Sequence, residues 1–506
     1  MGLLNFLKTL WNAPPRHSIA HKSKPAKRRY DGAKRGRLYG GWLTTNNSAN
    51  AEIWASLVTL RSRSRDLCRN NDYARGAIQK LVDNVVYTGI GFQAQVKQVK
   101  DKTKNDLKIN EKIEQAWANW ADEPLYCHTA GDLTWAEIQQ LAFRSWLESG
   151  EVFIRKVKQS FSNSPVPFAL EVIEADQCAD DHNSIYGGNQ IIMGVEVNKW
   201  KRPVAYWFYE DHPGDSWVSA NTASRQLKRV PAEEIIHIFF KERPGQLRGI
   251  PLLASTLLRL HNVGDYEEFE QIAAKAASSI MAFVTTPDAD LLDEPREKVG
   301  SENLPPDEKL APGMMRYLAQ GETLSAFDPK RPNPNITSFI ECQLRATGAG
   351  IGSSYENVSN DYSKSNYSSS RLSLLQARDR FKVLQIAFIS KFCRLVYAEW
   401  LEMAVLSGML NFADYEIRPQ RYKAVRWTPR GWSWVDPYKE TNATIAAIKS
   451  GLTTLTEEIA KQGGDFEENI KILAREREIL EYYGINLDLE TYPVSEIEIS
   501  DSALTA

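Results

Sequence analysis

Between Ala51 and Val86 the apolar residues recur at helical spacing: Ile53, Leu57 and Leu60, then Ala77, Ile78, Leu81, Val82 and Val85. Asn70-Asn71 interrupts the series with residues suited to end one helix and cap the next, so two helices are predicted, the second stopped by Thr88-Gly89-Ile90-Gly91. Another helix lies around Ile113 to Trp120. A further one opens with Thr134 and Glu137 at capping-box spacing and closes at Gly150, with Ile138, Leu141, Ala142 and Trp146 as its stripe. From Glu151 the period drops to two. The runs VFIRKV, FALEVIEA, IIMGVEV, VAYWFYE and EIIHIFF are short, rich in β-branched and aromatic residues and separated by Pro, Gly and Asn, which predicts an antiparallel sheet region.

Helix resumes after RPGQLRGIP and runs from about Leu252, with small residues late on (Ala273, Ala274, Ala276, Ala277, Ser278) that suit close helix neighbours. A Pro-, Asp- and Glu-rich stretch from Thr285 to Lys309, with the strand-like MMRYL and ETLSAF, predicts a compact insertion ended by DPKRPNPN. A short helix over Ile336 to Gly350 follows. Then comes GSSYENVSNDYSKSNYSSSR, Gly352 to Arg371, a ribbon of hydroxyls, amides and tyrosines almost without aliphatics. It leads into a long helix over about Leu372 to Leu406 that aligns Phe381, Leu384, Phe388, Phe392 and Leu395. Past Gly408 an aromatic-Pro turn region gives way to two or three short amphipathic helices. The pattern is α+β and mainly helical.

At 506 residues and 57.3 kDa the chain exceeds one ordinary core, so three or more regions are expected. No apolar run approaches the roughly 18 residues of a membrane span, and MGLLNFLKTLWNAPP lacks the basic segment and cleavage site of a secretory leader. Cys68, Cys127, Cys178, Cys342 and Cys393 are scattered, which predicts buried reduced thiols. The net charge of -2 conceals opposite ends. Ten Lys and Arg against Asp31 alone make residues 1–40 a basic arm, and thirteen acids against four Lys and Arg make residues 451–506 an acidic end.

Catalytic signatures are missing. There is no GxxxxGK[ST], HExxH or Ser-x-x-Lys, and Gly214-Asp215-Ser216-Trp217-Val218 lacks the last glycine of a nucleophile elbow. The seven histidines are dispersed, and His237 in IIHIFF reads as a hydrogen-bonded core residue. Glu233-Glu234 and Glu267-Glu268 read as solvated surface charge. No enzymatic activity, cofactor or metal is expected.

Five blocks in order, RSRDLCRNNDYARGAIQKLVDNVVYTGIGFQAQ, RSWLESGEVFIR, RVPAEEIIHIFFKERPGQLRGIPLLA, SYENVSNDYSKSNYSSSR and VDPYKE, resemble the lambda-type portal proteins of tailed bacteriophages. The resemblance spans about residues 50 to 485 and leaves the arm and the acidic end outside it. It implies a homo-oligomeric ring, typically of about twelve subunits, at one capsid vertex of the virion, assembled in the host cytoplasm. Double-stranded DNA would enter and leave through it. Further implied partners are the terminase large subunit, the major capsid and scaffold proteins, and a head-tail connector protein, with no membrane. The implied regions are a flexible basic arm (1–50), a wing (51–251 and 372–436), stem helices (252–279 and 336–352), a clip (280–335), a tunnel loop (353–371), a crown (437–485) and an acidic tail (486–506). Alternatives are a channel-less capsid or adaptor protein and a DNA-modifying enzyme.

In this scheme the polar ribbon is the tunnel loop, and Tyr355, Asn357, Asn360, Asp361, Tyr362, Lys364, Asn366, Tyr367 and Arg371 would face the DNA. A loop that meets DNA in every register reads no bases, and strong phosphate contacts would oppose sliding. Lys364 and Arg371 are expected to balance Glu356 and Asp361, leaving exchangeable, nearly neutral hydrogen bonds.

Overall fold

Helix breaks fall where the chain supplies caps. In the computed structural model, which describes residues 44–99, 105–215, 226–278, 282–285, 323–326, 335–364, 366–432, 437–462 and 464–482, the Asn71 side chain accepts from the Ala74 N–H at 3.0 Å. It separates helix α2 (Leu57–Asn70) from α3 (Asp72–Val85), with a short α1 (Ala49–Trp54) ahead of them. The chain divides into units 1–48 and 49–506; residues 44–48 of the first carry no helix or strand, and all that follows concerns the second. The basic head up to Arg37, the MMRYL run and the acidic end beyond Tyr482 lie outside the described residues.

Strand β1 (Gly91–Ala94) and helices α4 (Leu107–Ala121) and α5 (Pro124–Cys127) lead to α6 (Trp135–Ser149). Thr134 and Glu137 form the expected capping box, and Gly150 ends α6 at φ 88°, a conformation that costs glycine little. The stripe of α6 is Ile138, Ala142, Phe143, Trp146 and Leu147; Leu141, expected within it, falls outside that arc and is exposed.

The alternating stretch forms two sheets rather than one. Strands β2 (Glu151–Val157), β3 (Ala169–Ile173) and β9 (Ile235–Phe239) pair antiparallel in the order β3-β2-β9. Strands β4 (Ser184–Tyr186), β5 (Asn189–Ile192), β6 (Val195–Val197), β7 (Pro203–Tyr209) and β8 (Leu227–Pro231) form a second antiparallel sheet in chain order. IIMGVEV, expected as one strand, breaks into β5 and β6 because Met193 and Gly194 adopt φ 50° and 78°.

Helix α7 (Leu257–Ser278) follows a turn region, and strands β10 (Ala282–Thr285) and β11 (Thr323–Ala326) pair antiparallel, the latter within ETLSAF. Helix α8 (Ile336–Ile351) packs beside α7: Arg259 donates to Gln343 at 2.5 Å, and the Tyr266 and Phe339 rings meet edge to face at 5.1 Å. After the ribbon helix α9 (Tyr355–Ser359), helix α10 (Tyr367–Phe388) passes through a π turn (Ile389–Cys393) into α11 (Arg394–Leu406). Phe388, Phe392, Val396, Trp400 and Ala404 are all buried and spaced by four, wider than the α-helical 3.6, and the π turn absorbs the surplus. The same shift turns Val396 inward in place of Leu395, which was expected in the stripe and is exposed. Helix α12 (Pro419–Tyr422), strand β12 (Val425–Thr428), which pairs with β1, and helices α13 (Pro437–Lys449), α14 (Leu455–Lys461) and α15 (Phe466–Tyr482) complete the order.

Aromatic rings dominate the main core. Trp117 meets Trp400 at 4.9 Å, Trp120 at 5.0 Å, Phe92 at 5.2 Å and Trp135 at 5.5 Å, so α4, α6, α11 and β1 converge on one indole. Trp120 donates to the Phe168 carbonyl at 2.8 Å, which supplies the partner a buried indole N–H requires. Cys68, Cys127, Cys178 and Cys393 are buried as expected, and burial pushes the Cys127 thiol up to about 12. Cys342 departs from the expectation: it lies exposed on α8.

A buried ionic joint ties the sheets to the segment before α7. Glu151 Oε1 accepts from Arg61 at 3.0 Å and from Arg248 Nε at 2.8 Å, while its Oε2 accepts from the Gly249 N–H at 2.8 Å. His237 Nε2 lies 2.9 Å from Oε2, and because an ionised carboxylate only accepts, that nitrogen carries the proton. His237 is thus the hydrogen-bonded core histidine that its strand context suggested. Arg248 also donates to the Met193, Ala175 and Cys178 carbonyls. Burial would raise the Glu151 carboxyl, but Arg248, the His237 hydrogen bond and Arg61 hold it well below the usual range. At this joint a Cβ on Gly249 would stand 2.1 Å from the Gly150 oxygen, so side chains are excluded.

Candidate functional site

The ribbon is more structured than a loop, because its serines and asparagines act as helix caps. Gly352 ends α8 at φ 71°, and the Ser353 N–H returns to the Gly348 carbonyl at 2.8 Å. Ser354 Oγ then caps α9 by accepting from the Asn357 N–H. Buried Val358 pins α9 to the core, and Asn360 ends it at φ 59°, a conformation asparagine tolerates better than most residues. Asp361 Oδ1 accepts from the Ser363 N–H at 2.9 Å as an Asx turn. Asn366 and Ser369 form a capping box, so the long helix starts at Tyr367, five residues before Leu372, where the apolar spacing begins.

The residues expected to line a channel therefore occupy different settings. Tyr355 and Asn357 belong to α9, Asn360 ends it, and Asp361, Tyr362 and Lys364 lie in the connection. Asn366 caps α10, and Tyr367 and Arg371 stand in its first turns. Tyr362 and Tyr367 are 56% and 63% exposed, whereas Tyr355 turns inward and donates to Asp361 at 2.9 Å beneath the Arg345 guanidinium.

The ribbon's two cations and two acids do not pair with one another. Lys364 pairs with Glu341 of α8, which also holds Arg345 at 3.1 Å, and Arg371 reaches Glu440 of α13 at 3.3 Å. Glu356 instead accepts from Ser373 at 2.9 Å, and Lys80 of α3 donates to Asn360. Lys364 first, then Arg345, lower the Glu341 carboxyl, and hydrogen bonds from Ser363 and then Tyr355 lower Asp361. Helices α8 and α13 thus neutralise the ribbon's two cations, while α3 adds a hydrogen bond to Asn360. Sequence reasoning missed Lys80, Glu341, Arg345 and Glu440. Only the four-residue spacing of Glu341 and Arg345 offered a signal; Lys80 stands 280 residues from Asn360.

One other constellation holds metal-ligating groups among the described residues: His212 Nε2 lies 3.0 Å from Glu174 and 3.9 Å from Asp176. Asp176 already pairs with Arg61 and Arg65, whose charges oppose a cation there.

An α+β chain with two adjacent helices, a ribbon between α8 and α10 and a tryptophan-rich core has clear relatives. Residues 35–385 match the model of the lambda family of phage portal proteins, and the chain belongs to that family. A probable portal protein of Halomonas phage phiHAP-1 is 30% identical over 475 residues, covering 91% of this chain and 88% of that protein. Portal protein B of Escherichia phage lambda is 23% identical over 477 residues, 86% of each chain. Among solved structures, a chain from the neck of an empty GTA particle aligns with TM-score 0.45 and 13% identity, covering 79% of this chain and 93% of that one. Among the described residues, no helix is long and apolar enough to cross a membrane.

Proposed function

We propose that this chain is the subunit of a homo-oligomeric portal ring at one capsid vertex, through which double-stranded DNA is packaged and ejected, and that the ribbon is its tunnel loop. In this reading α7 and α8 are the stem helices, residues 280–335 the clip, residues 437–485 the crown, and the helices and sheets of 51–251 with those of 372–436 the wing. The clip would meet the terminase first and the connector later.

Membership of the portal family carries the reading, and the state of the ribbon supports it. The exposed Tyr367 offers a hydroxyl and a π face to a partner, while the ribbon's cations are committed to Glu341 and Glu440. Such a surface wets a polyanion without anchoring it, since each unpaired Lys or Arg would add a salt-sensitive phosphate contact.

The test replaces residues 361–365 with a Gly-Ser linker, leaving α9 and the α10 cap in place. Electron microscopy and native mass should show rings unchanged from wild type, while particles assembled with the variant fail to fill with, or to retain, DNA. Normal packaging and retention would overturn the tunnel-loop assignment, and a non-annular wild-type assembly would overturn the portal reading itself.

A further inference from the structure

Strand β12 has one partner and one open edge. The Gln95 N–H donates to the Ala424 carbonyl at 2.8 Å, and the register pairs Gln93 with Arg426 and Gly91 with Thr428. Bonded pairs alternate along an antiparallel ladder, so Val425 and Trp427 turn their N–H and C=O groups away from β1. Among the described residues no strand pairs with that side. Beside it runs a groove of about 540 Å³ lined by Lys423, Val425 and Trp427 and, from the long helix, by Ile386, Ile389 and Arg394. Ile386 is 68% exposed, Arg394 and Lys423 make no ion pair among the described residues, and the covered Trp427 Nε1–H meets no acceptor among them.

We propose that the chain's own acidic segment Val494–Ser500 adds to this edge as a third strand. Its chemistry fits. Residues 483–506 contain Asp488, Glu490, Glu496, Glu498 and Asp501 but no Lys, Arg or His, and VSEIEIS alternates with the period of a strand. Pro493 stands just ahead of the segment, where its missing N–H costs no ladder bond.

The chain can also reach. Asp465 and Glu467, at the start of α15, accept from Gln93 and Asn105 at 3.1 and 2.9 Å, which places that end beside β1. The 17 residues of α15 carry Tyr482 about 25 Å away. The intervening residues 483–493 span up to about 36 Å when extended, enough to return. In the added strand Glu496 and Glu498 share one face and pair with Arg394 and Lys423. The inference stands on this groove and is independent of the portal reading.

Hydrogen exchange on the full chain and on a chain ending at Pro493 tests it. The Val425 and Trp427 amides should exchange at least tenfold faster without the segment, and a synthetic peptide of residues 492–502 should restore their protection. A peptide carrying Glu496→Lys and Glu498→Lys should bind the unmodified shortened chain at least tenfold more weakly, and Arg394→Glu with Lys423→Glu should reverse that preference. Fast exchange of both amides in the full chain, or protection that persists after the segment is removed because a second copy covers the edge, would overturn the proposal.

Discussion

Glu151 and Glu341 are both covered and both accept from cationic side chains, yet the cations that meet them sit in opposite surroundings. Glu151, Arg61 and Arg248 have fully buried side chains, whereas Lys364 and Arg345, which meet Glu341, are 63% and 53% exposed. Buried charges separated from a partner have no water to replace it, so the Glu151 joint fixes how β2, β9, α2 and the segment before α7 meet. At the ribbon the cations already reach water and only the Glu341 carboxylate is covered, so these pairs cost less to separate than the joint and neutralise without clamping. The same chemistry serves as a weld in one place and as an exchangeable contact in the other.

The largest break in that contrast comes from Glu151→Ala, which leaves Arg61 and Arg248 buried without their carboxylate. It should cost about 3–5 kcal/mol in urea unfolding. The joint should also show in the pH dependence. Burial, against the Glu151 hydrogen bond, lowers the His237 pKa, so the unfolded chain takes up the proton first. The stability His237 contributes is then complete above about pH 6.5 and is lost as pH falls through its lower folded value, at up to about 1.4 kcal/mol per pH unit. His237→Asn should flatten that limb of a stability-pH profile.

Effects at the ribbon should be smaller. Asn366→Ala removes the α10 cap and should cost about 1 kcal/mol, seen as faster hydrogen exchange at Ser368 to Ser370. Arg371→Ala should change unfolding by less than about 1 kcal/mol. If it matched Glu151→Ala, the distinction between weld and exchangeable contact would be gone.

The helices and their caps were legible wherever local chemistry decides them: Asn71, Thr134 with Glu137, and Gly150 all act as the spacing predicts. What escaped was what depends on partners distant in sequence. The ribbon's hydroxyls suggest a loop until Ser354 and Asn366 are seen capping helices, and Glu440 lies 69 residues from Arg371. β1 and β12 are four-residue strands whose pairing spans more than 300 residues, too short and too distant for alternation to announce. The joint escaped because Glu151 opens a strand like any surface glutamate; only the fold brings Arg61, Arg248 and His237 to it.

The π turn at Ile389–Cys393 also sets an angle. One surplus residue rotates everything before it by about 100° relative to everything after it. The end of the helix that bears Tyr367 and the end that bears Trp400 are therefore turned relative to each other, and each buries its own stripe: Ala377, Phe381 and Leu384 before the π turn, Val396, Trp400 and Ala404 after it. Removing one residue between Ile389 and Cys393 would turn one of the two stripes out of the core by that angle, so a single residue's length of backbone keeps both halves of the helix buried.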